Sequence, residues 1–375
     1  MGIKGYKTAI IHDWLTGMRG GETVLESLLD IYPDADIFTL LWVPGSVSSK
    51  IEKQRITTSF LQKAPFIKKN YRHYLPLFPL AIEGFDLRGY DLIVSSSHCV
   101  AKGIIPPPGA RHICYCYTPM RYIWDMYFQY FGKTRNRLTS FIYRSVAHYL
   151  RMWDVTTNSR VDEFIAISNH VSRRIKRYYN RTSAIIYPPV DNDFYLPVSD
   201  KPLAERYYLV VSGLVPYKRI DLAIEAFNQT GKKLIVIGEG PEKARLMKAA
   251  KRNISFLGWA SNEDLRKWYS HCEALIFPGE EDFGIVPVEA QACGRPVVAF
   301  GQGGALDTVV HGNTGILFPE QTVASLIKAL ETHEVTRYDS DAIIENSRRF
   351  SRNVFTEKVR QYVMQNCKST DDGHS

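Results

Sequence analysis

From Tyr207 to Phe318 short apolar runs alternate with amphipathic stretches, and few folds satisfy that rhythm. "YYLVVSG" reads as a buried strand, "RIDLAIEAFNQT" as a helix, and "KLIVIGEG" as a strand closed by a glycine-rich turn. "PEKARLMKAAKR" follows as a helix with Pro241 at its start, where a missing N–H costs nothing. "ISFLGW" is a strand, and "SNEDLRKWYSHC" a helix whose Ser261 and Asp264 resemble a capping box. "EALIFPG" is a strand, a helix begins near Gly284, and "RPVVAF", "ALDTVV" and "TGILF" complete the series. Strand and helix exchange about six times, which requires a parallel sheet with helices on both faces. Ligands of such sheets bind at the carboxyl ends of the strands.

The N-terminal half has the same grammar with longer interruptions. "KTAIIHDWL", "DADIFTLLW", "DLIVSSSH" and "HICYCYT" read as strands, and "GMRGGETVLESLLDIYP" as a glycine-bearing loop and helix. "EFIAISNHVSRRIKRYY" is strand then helix, and "AIIYPPV" a last strand. A chain of 375 residues is long for one core and suits two. The polar, proline-rich stretch 188–202 reads as the hinge. The expected division is 1–190, 191–350, and a C-terminal helix and tail over 351–375 that packs back toward the N-terminal domain.

Charge is unevenly spread. Residues 50–190 hold 22 Lys/Arg against 8 Asp/Glu, whereas the whole chain nets only +8. A basic half fits an anionic partner: nucleic acid, an anionic membrane surface or a phosphate-bearing substrate. A solvated basic face is the plainer alternative. Between Lys50 and Tyr74 seven basic residues meet one acid among interleaved aromatics. That stretch suits a monotopic membrane contact with Phe60, Phe66 and Phe78 dipping in, or an ordinary acceptor-side surface. No nucleic-acid motif accompanies it, so no nucleic-acid partner is expected. No run of about 18 apolar residues occurs, and the N-terminal stretch lacks signal-peptide architecture. The six cysteines include no CxxC pair and read as reduced, mostly buried thiols. A cytoplasmic protein is expected.

The chemistry concentrates in "PGEEDFGIVPVEAQACGRP", where Glu281 and Glu289 stand eight positions apart around Phe283-Gly284. A strand followed by Asp-Phe-Gly sets backbone N–H groups at a helix N-terminus, which attracts phosphate. A glutamate within the helix can accept bonds from a ribose diol. One in the preceding loop can reach a sugar hydroxyl beyond the phosphate. Carboxylate, phosphate cradle and carboxylate in series suit a nucleotide-sugar. A loop charge and a solvated helix residue would be the bland account, but Glu289 interrupts an otherwise apolar run. The Asp-x-Asp strings Asp34/Asp36, Asp191/Asp193 and Asp339/Asp341 read as turn chemistry rather than metal ligands.

Together with "EAQACGRPVVA", the segments "VVSGLVPYKRIDLAIEAFN", "LIVIGEGPEKARL", "ISFLGWAS" and "GALDTVVHGNTGILF" occur in an order that resembles the retaining glycosyltransferases of family 4. "SSSHCVAKG" and "HICYCYTPMRYIWD" resemble a subgroup that builds bacterial surface polysaccharides. The resemblance implies an α/β protein of GT-B fold: two Rossmann-like, doubly wound domains facing each other across a cleft.

It also implies roles. Lys218 neutralises the departing diphosphate, Glu281 contacts the donor sugar, and Glu289 grips the ribose. Phe283, Gly284, Ile285 and Val286 present backbone N–H groups to phosphate and sugar. His98 stands beside the anomeric centre, or else merely ends a strand. His98, Glu281 and Lys218 form the implied catalytic set. Gly20 and Gly21 line the first-domain loop, Gly238 the "VIGEG" turn, Trp259 faces the nucleobase, and Arg121 the acceptor. Two departures stand out. Gly213 occupies the place of a usual arginine in "SGLVPYK", with Arg219 the candidate substitute, and Tyr117 replaces a frequent histidine. The implied reaction is metal-independent and cofactor-free: mannose passes from GDP-mannose by same-face attack to a lipid-pyrophosphate-linked glycan of O-antigen type. A UDP-sugar donor, or a weakly active binding protein because of Gly213, are the alternatives. Implied partners are the nucleotide-sugar donor, the lipid-linked acceptor, the cytoplasmic face of the inner membrane and other polysaccharide-assembly enzymes.

Overall fold

The computed structural model describes residues 5–128, 137–199 and 206–368. They fall into two compact units: one runs to Tyr187 and resumes at Phe355, and the other is Pro188–Val354.

In the first unit β1 (Thr8–His12), β2 (Asp36–Thr39), β3 (Ile56–Thr58), β4 (Leu92–Ser97), β5 (Arg111–Cys116), β6 (Glu163–Ala166) and β7 (Ala184–Ile185) pair in parallel. Their order is β3-β2-β1-β4-β5-β6-β7, so the winding reverses between β1 and β4. Both of these strands are buried along their whole length, as expected where helices cover both faces. Helix α1 (Gly20–Ile31) follows β1, α2 (Arg137–Thr156) precedes β6, and α3 (Asn169–Tyr179) links β6 to β7. Ser168 caps α3 by accepting from the Val171 N–H, and Asn180 closes it in the left-handed conformation. Within this core Lys102 is buried, paired with Asp154 at 3.1 Å and donating to Thr157 and Asn158.

The second unit contains β8 (Tyr208–Val211), β9 (Leu234–Ile237), β10 (Ile254–Gly258), β11 (Leu275–Phe277), β12 (Val297–Phe300) and β13 (Gly315–Phe318). They form a parallel sheet in the order β10-β9-β8-β11-β12-β13, reversing between β8 and β11. Helices α4 (Ile220–Thr230), α5 (Lys243–Ala249), α6 (Asn262–His271) and α7 (Ile285–Ala292) connect strands of this sheet, and α8 (Val323–Val335) and α9 (Ser340–Arg348) follow β13. The continuous apolar runs are explained by the strand period of two. Tyr208, Val210, Leu234, Val236, Ile276 and Val298 pack into one core layer. Their neighbours Tyr207, Leu209, Ile235, Ile237, Leu275 and Val297 pack into another.

The sequence misled in several places. The stretch "SRRFSRNVFTEKVRQYVMQ" (347–365) reads as helical throughout, but α9 ends at Arg348 and α10 (Arg352–Lys368) starts anew. Between them the Phe350 carbonyl accepts from the Val190 N–H at 2.8 Å. From Phe355 on, α10 belongs to the first unit, where Phe355 meets Tyr115 edge-on and Tyr362 donates to Glu163 at 3.0 Å. Pro241 lies in the turn before α5 rather than at its first residue. Phe78, expected to dip into a membrane, is buried in the core, because it heads a short helix packed beneath Trp14. Helix α2 was not expected. Residues 200–202 of the expected hinge and 369–375 of the expected tail lie outside the described residues. Asp191 and Asp339 accept from nearby backbone N–H groups and so act in turn and cap, as turn chemistry requires. No described helix is long and apolar enough to cross a membrane.

Candidate active site

Each sheet carries a cluster of polar groups where its winding reverses. In the first unit His12 ends β1, Asp13 follows it, and His98 follows β4. Asp13 is fully buried. Its Oδ2 accepts from the N–H groups of His98 at 2.7 Å and Cys99 at 3.0 Å. Its Oδ1 accepts from Val100 at 2.7 Å and Ala101 at 2.8 Å. The His98 ring presents Nδ1 to the same carboxylate at 3.0 Å, and Trp14 meets that ring edge-on with centroids 4.5 Å apart. Burial pushes the Asp13 carboxyl up, but His98, by charge and hydrogen bonds, overrides it and holds the group at about 2. An ionised Asp13 accepts from the His98 Nδ1–H and so fixes the orientation of the imidazole, with Nε2 on the far side of the ring.

A second chain of contacts runs beside it. His12 Nδ1 lies 3.0 Å from Ser96 Oγ, and Ser96 Oγ lies 2.8 Å from the Tyr117 hydroxyl. Tyr117 donates to the Gly21 carbonyl at 3.1 Å, and Glu22 lies 3.8 Å from His12 Nε2. Burial raises Glu22, but its hydrogen bond and attraction to His12 hold it below the usual range. Gly20 and Gly21 therefore form the first turn of α1 rather than a loop. A Cβ on Gly21 would make only ordinary contact with His12 and Tyr117, at 3.5 Å and beyond. Arg121 is half-buried in the turn after β5.

In the second unit the loop after β8 is pinned by two glycines of the "GEG" turn. A Cβ on Gly238, at φ +136°, would stand 1.9 Å from the Ser212 carbonyl oxygen, and one on Gly240 would stand 2.3 Å from that of Leu214. Gly213 between them faces open space. The chain then makes a tight turn over Pro216–Lys218, and Arg219 enters α4 at φ +52°, an uncommon conformation for a side chain to carry. A Cβ on Gly279 would lie 2.9 Å from the Lys218 backbone. That close pass lets the Lys218 ammonium form an ion pair with Glu281. Arg219 turns to Asp221 at 3.3 Å and Gln321 at 3.4 Å.

The Glu281–Gly284 segment is held from below by the "GQGG" turn. Gly304 donates to the Glu281 carbonyl at 2.8 Å, and a Cβ on Gly304 would fall 2.2 Å from the Phe283 carbonyl oxygen. Phe283 is buried against Phe350, with ring centroids 5.5 Å apart. Gly284, at φ +92°, caps α7, and a Cβ there would press the Phe277 ring at 3.2 Å. The N–H groups of Ile285 and Val286 open α7 without intrahelical partners, and Pro287 supplies none. Glu289 lies one turn on, with its Oε2 receiving the Tyr269 hydroxyl at 2.8 Å. Burial pushes Glu289 up to about 7, against the opposing hydrogen bonds of Tyr269 and Tyr195. Trp259, just past β10, is 80% exposed.

The structure thus brings Lys218, Glu281, Phe283, Gly284, Ile285, Val286 and Glu289 to the carboxyl side of the neighbouring strands β8 and β11, with Gly238 buttressing the loop that carries Gly213. Sequence reasoning missed Asp13, His12, Ser96, Gly279, Gly304 and Tyr269. "IIHDW" offered a signal, because two titratable residues at the exit of a buried strand occupy the position where α/β proteins place function. Among the described residues no group of three or more His, Cys, Asp or Glu could hold a metal ion.

Two doubly wound units, each with a polar cluster at its switch point, constitute the fold of the GT-B glycosyltransferases. Residues 191–350 match the family model Glycosyl transferases group 1. An uncharacterized glycosyltransferase of Methanocaldococcus jannaschii is 26% identical over 54% of this chain and 58% of its own length. The D-rhamnosyltransferase WbpZ of Pseudomonas aeruginosa is 28% identical over 45% of this chain and 49% of its own. The chain thus spans about half the length of these curated relatives. Among solved structures, Anabaena HepE in complex with UDP superposes with a TM-score of 0.69 at 18% identity, covering 96% of this chain and 100% of that one.

Proposed function

We propose that this chain is a retaining, metal-independent glycosyltransferase that moves mannose from GDP-mannose to a lipid-pyrophosphate-linked glycan in bacterial surface polysaccharide synthesis. The observation that carries the reading is the contact of Lys218 with Glu281 beside the glycine-headed N-terminus of α7. A diphosphate seated on the N–H groups of Gly284, Ile285 and Val286 competes for the Lys218 ammonium. Glu281 is then released to accept from donor-sugar hydroxyls. Glu289, set deeper in α7, accepts from the ribose diol, and Trp259 offers a face to the base. Lys218 stabilises the charge left on the diphosphate when the glycosidic bond breaks, the role a metal takes in other transferases. To His98, fixed by Asp13, we assign the acid–base role of the transfer, and to Arg121 the binding of the acceptor. A lipid-borne acceptor accords with the basic segment after Lys50, where Phe60 and Phe66 are exposed.

A UDP-sugar donor is the second reading, favoured by the UDP in the Anabaena neighbour. Thermal shift with GDP, UDP, GDP-mannose and UDP-glucose, each with and without EDTA, separates them. Stabilisation by GDP and GDP-mannose that survives EDTA is the expected result. Stabilisation by uridine nucleotides alone removes mannose, and no shift with any nucleotide removes the transferase reading.

A further inference from the structure

Helix α2 carries apolar residues on two opposite faces. Ala147, Leu150, Val146 and Trp153 pack into the first unit's core. Asp154 turns inward as well, to Lys102. On the other side Phe141, Ile142, Tyr149, Met152 and Val155 are exposed, Phe141 by 68% and Met152 by 52%. At 100° per residue these five share an arc of about 140° with Ser145, His148 and Thr156 between them. They form a continuous stripe, unlike the singly scattered apolar residues of an ordinary surface.

The charges beside the stripe have one sign. Asp154 is the only acid in the helix sequence "RLTSFIYRSVAHYLRMWDVT", and it is buried. Arg144 is exposed on one border of the stripe. Arg151 lies on the same border, its guanidinium over the Tyr127 ring at 5.0 Å. The chain segment 50–190, to which α2 belongs, holds 22 basic against 8 acidic side chains. Apolar side chains flanked by arginines, without an exposed carboxylate, complement an interface of acyl chains and anionic headgroups.

We propose that the outer face of α2 is a membrane-docking surface, which lies in the plane of an anionic bilayer and seats the first unit on it. The helix lies on the membrane rather than across it, since its core-facing side is already committed to protein. The proposal deepens the reading of a lipid-borne acceptor, yet its test needs neither donor nor acceptor. A glycosyltransferase that fails to bind vesicles and a vesicle-binding protein without transferase activity are therefore separate outcomes.

The test is co-sedimentation of the full chain with vesicles of phosphatidylcholine alone and of phosphatidylcholine mixed with phosphatidylglycerol. The wild type is expected to sediment with the mixed vesicles and to be released by salt. The triple variant Phe141→Ser/Ile142→Ser/Met152→Ser is expected to bind at least tenfold more weakly while keeping its circular dichroism spectrum and melting temperature. Arg144→Gln, which leaves the stripe intact, is expected to reduce binding to mixed vesicles by several-fold. The pair Phe60→Ser/Phe66→Ser, in the other exposed basic stretch of the first unit, is expected to weaken binding less than the triple variant does. Equal binding by the triple variant and wild type overturns the proposal, as does loss of binding only with the Phe60/Phe66 pair. So does a wild type that ignores both vesicles, or one that sediments as a dimer which the triple variant dissociates, since the stripe would then cover a second copy.

Discussion

Asp13 Oδ2 accepts from both the backbone N–H of His98, at 2.7 Å, and its ring Nδ1, at 3.0 Å. One buried carboxylate therefore sets the path of the loop after β4 and the orientation of the imidazole upon it. Replacing it by Asn keeps the volume but removes the charge and turns an amide NH₂ toward backbone donors. Asp13→Asn is expected to cost about 3–5 kcal/mol in urea unfolding, as breaking a buried pair does. His98→Ala, which spares the backbone bonds, should cost less stability and reduce turnover by about a hundredfold. The acid side checks the charge directly. Asp13 is held at about 2, below an ordinary 3.8, so its stabilisation is complete above the ordinary value and fades as pH falls through the depressed one. Melting temperature measured from pH 5 to pH 2 should fall less steeply in Asp13→Asn. An unchanged slope would show that the carboxylate is not held ionised.

Glu289 has the opposite sign. Its carboxyl is raised to about 7 from 4.5, so the folded protein holds a proton that the unfolded chain releases. The resulting stabilisation is full below the ordinary value and is lost as pH rises to the raised one. Glu289→Gln should abolish that decline, seen as a flatter melting temperature between pH 4.5 and pH 7. Donor binding should move the other way. If a ribose diol donates to Glu289, it favours the ionised carboxylate, and nucleotide affinity should rise from pH 6 to pH 8 in the wild type. In the variant it should stay flat and about tenfold or more weaker, the worth of a charged hydrogen bond. Calorimetric titration across pH reads both. A pH-independent wild type would remove Glu289 from the ribose site.

The two glutamates were legible because their surroundings made them conspicuous: carboxylates around a Phe-Gly, at the exit of an apolar run. The alternation of strands in the second unit was legible for the same reason, since each core-facing residue has a neighbour facing the other core layer. Asp13 was not, because its partners come from a loop 85 residues later and only folding reveals that four N–H groups converge there. Gly279 and Gly304 looked like turn residues, and their necessity lies in the backbones of Lys218 and Phe283 that pass beside them. Helix α2 escaped notice because apolar residues on both faces blur the 3.6-residue period. The interruption at Phe350 was hidden by its helix-favouring neighbours and is imposed by the chain at Val190.

Gly284 and Gly213 make a matched comparison. Gly284 needs its missing side chain twice over, for a φ of +92° and for the Phe277 ring 3.2 Å from a would-be Cβ. Gly284→Ala should cost about 1–3 kcal/mol of stability, and it should weaken nucleotide binding by tilting the first turn of α7. Gly213→Ala, which places a methyl in open space outside the left-handed region, should change stability by no more than about 0.5 kcal/mol. Chemical unfolding of both, with a nucleotide thermal shift on each, checks the contrast. Equal effects would show that the loop before α7 adapts freely and is not a fixed phosphate cradle.

Gly213 also permits a gain. It is exposed and nothing lies within 4 Å of a Cβ built on it, so a long side chain can be added without displacing the loop. Lys218 is engaged by Glu281, and Arg219 is turned to Asp221 and Gln321, so the natural chain brings few mobile cations to this strand end. An arginine at position 213 adds a forked, permanently charged donor on the loop that leads to Lys218. If a diphosphate leaves from this place, Gly213→Arg should raise kcat/KM about ten- to a hundredfold, since a charge-assisted bond formed to the leaving group is worth a few kcal/mol. The unfolding midpoint should stay where it is. A steady-state comparison of the variant with the wild type on the same donor and acceptor decides the matter. A gain of that size shows that the natural chain works with one cation fewer than its chemistry can use. No gain, with unchanged folding, shows that Lys218 and the N–H groups of α7 already neutralise the leaving diphosphate.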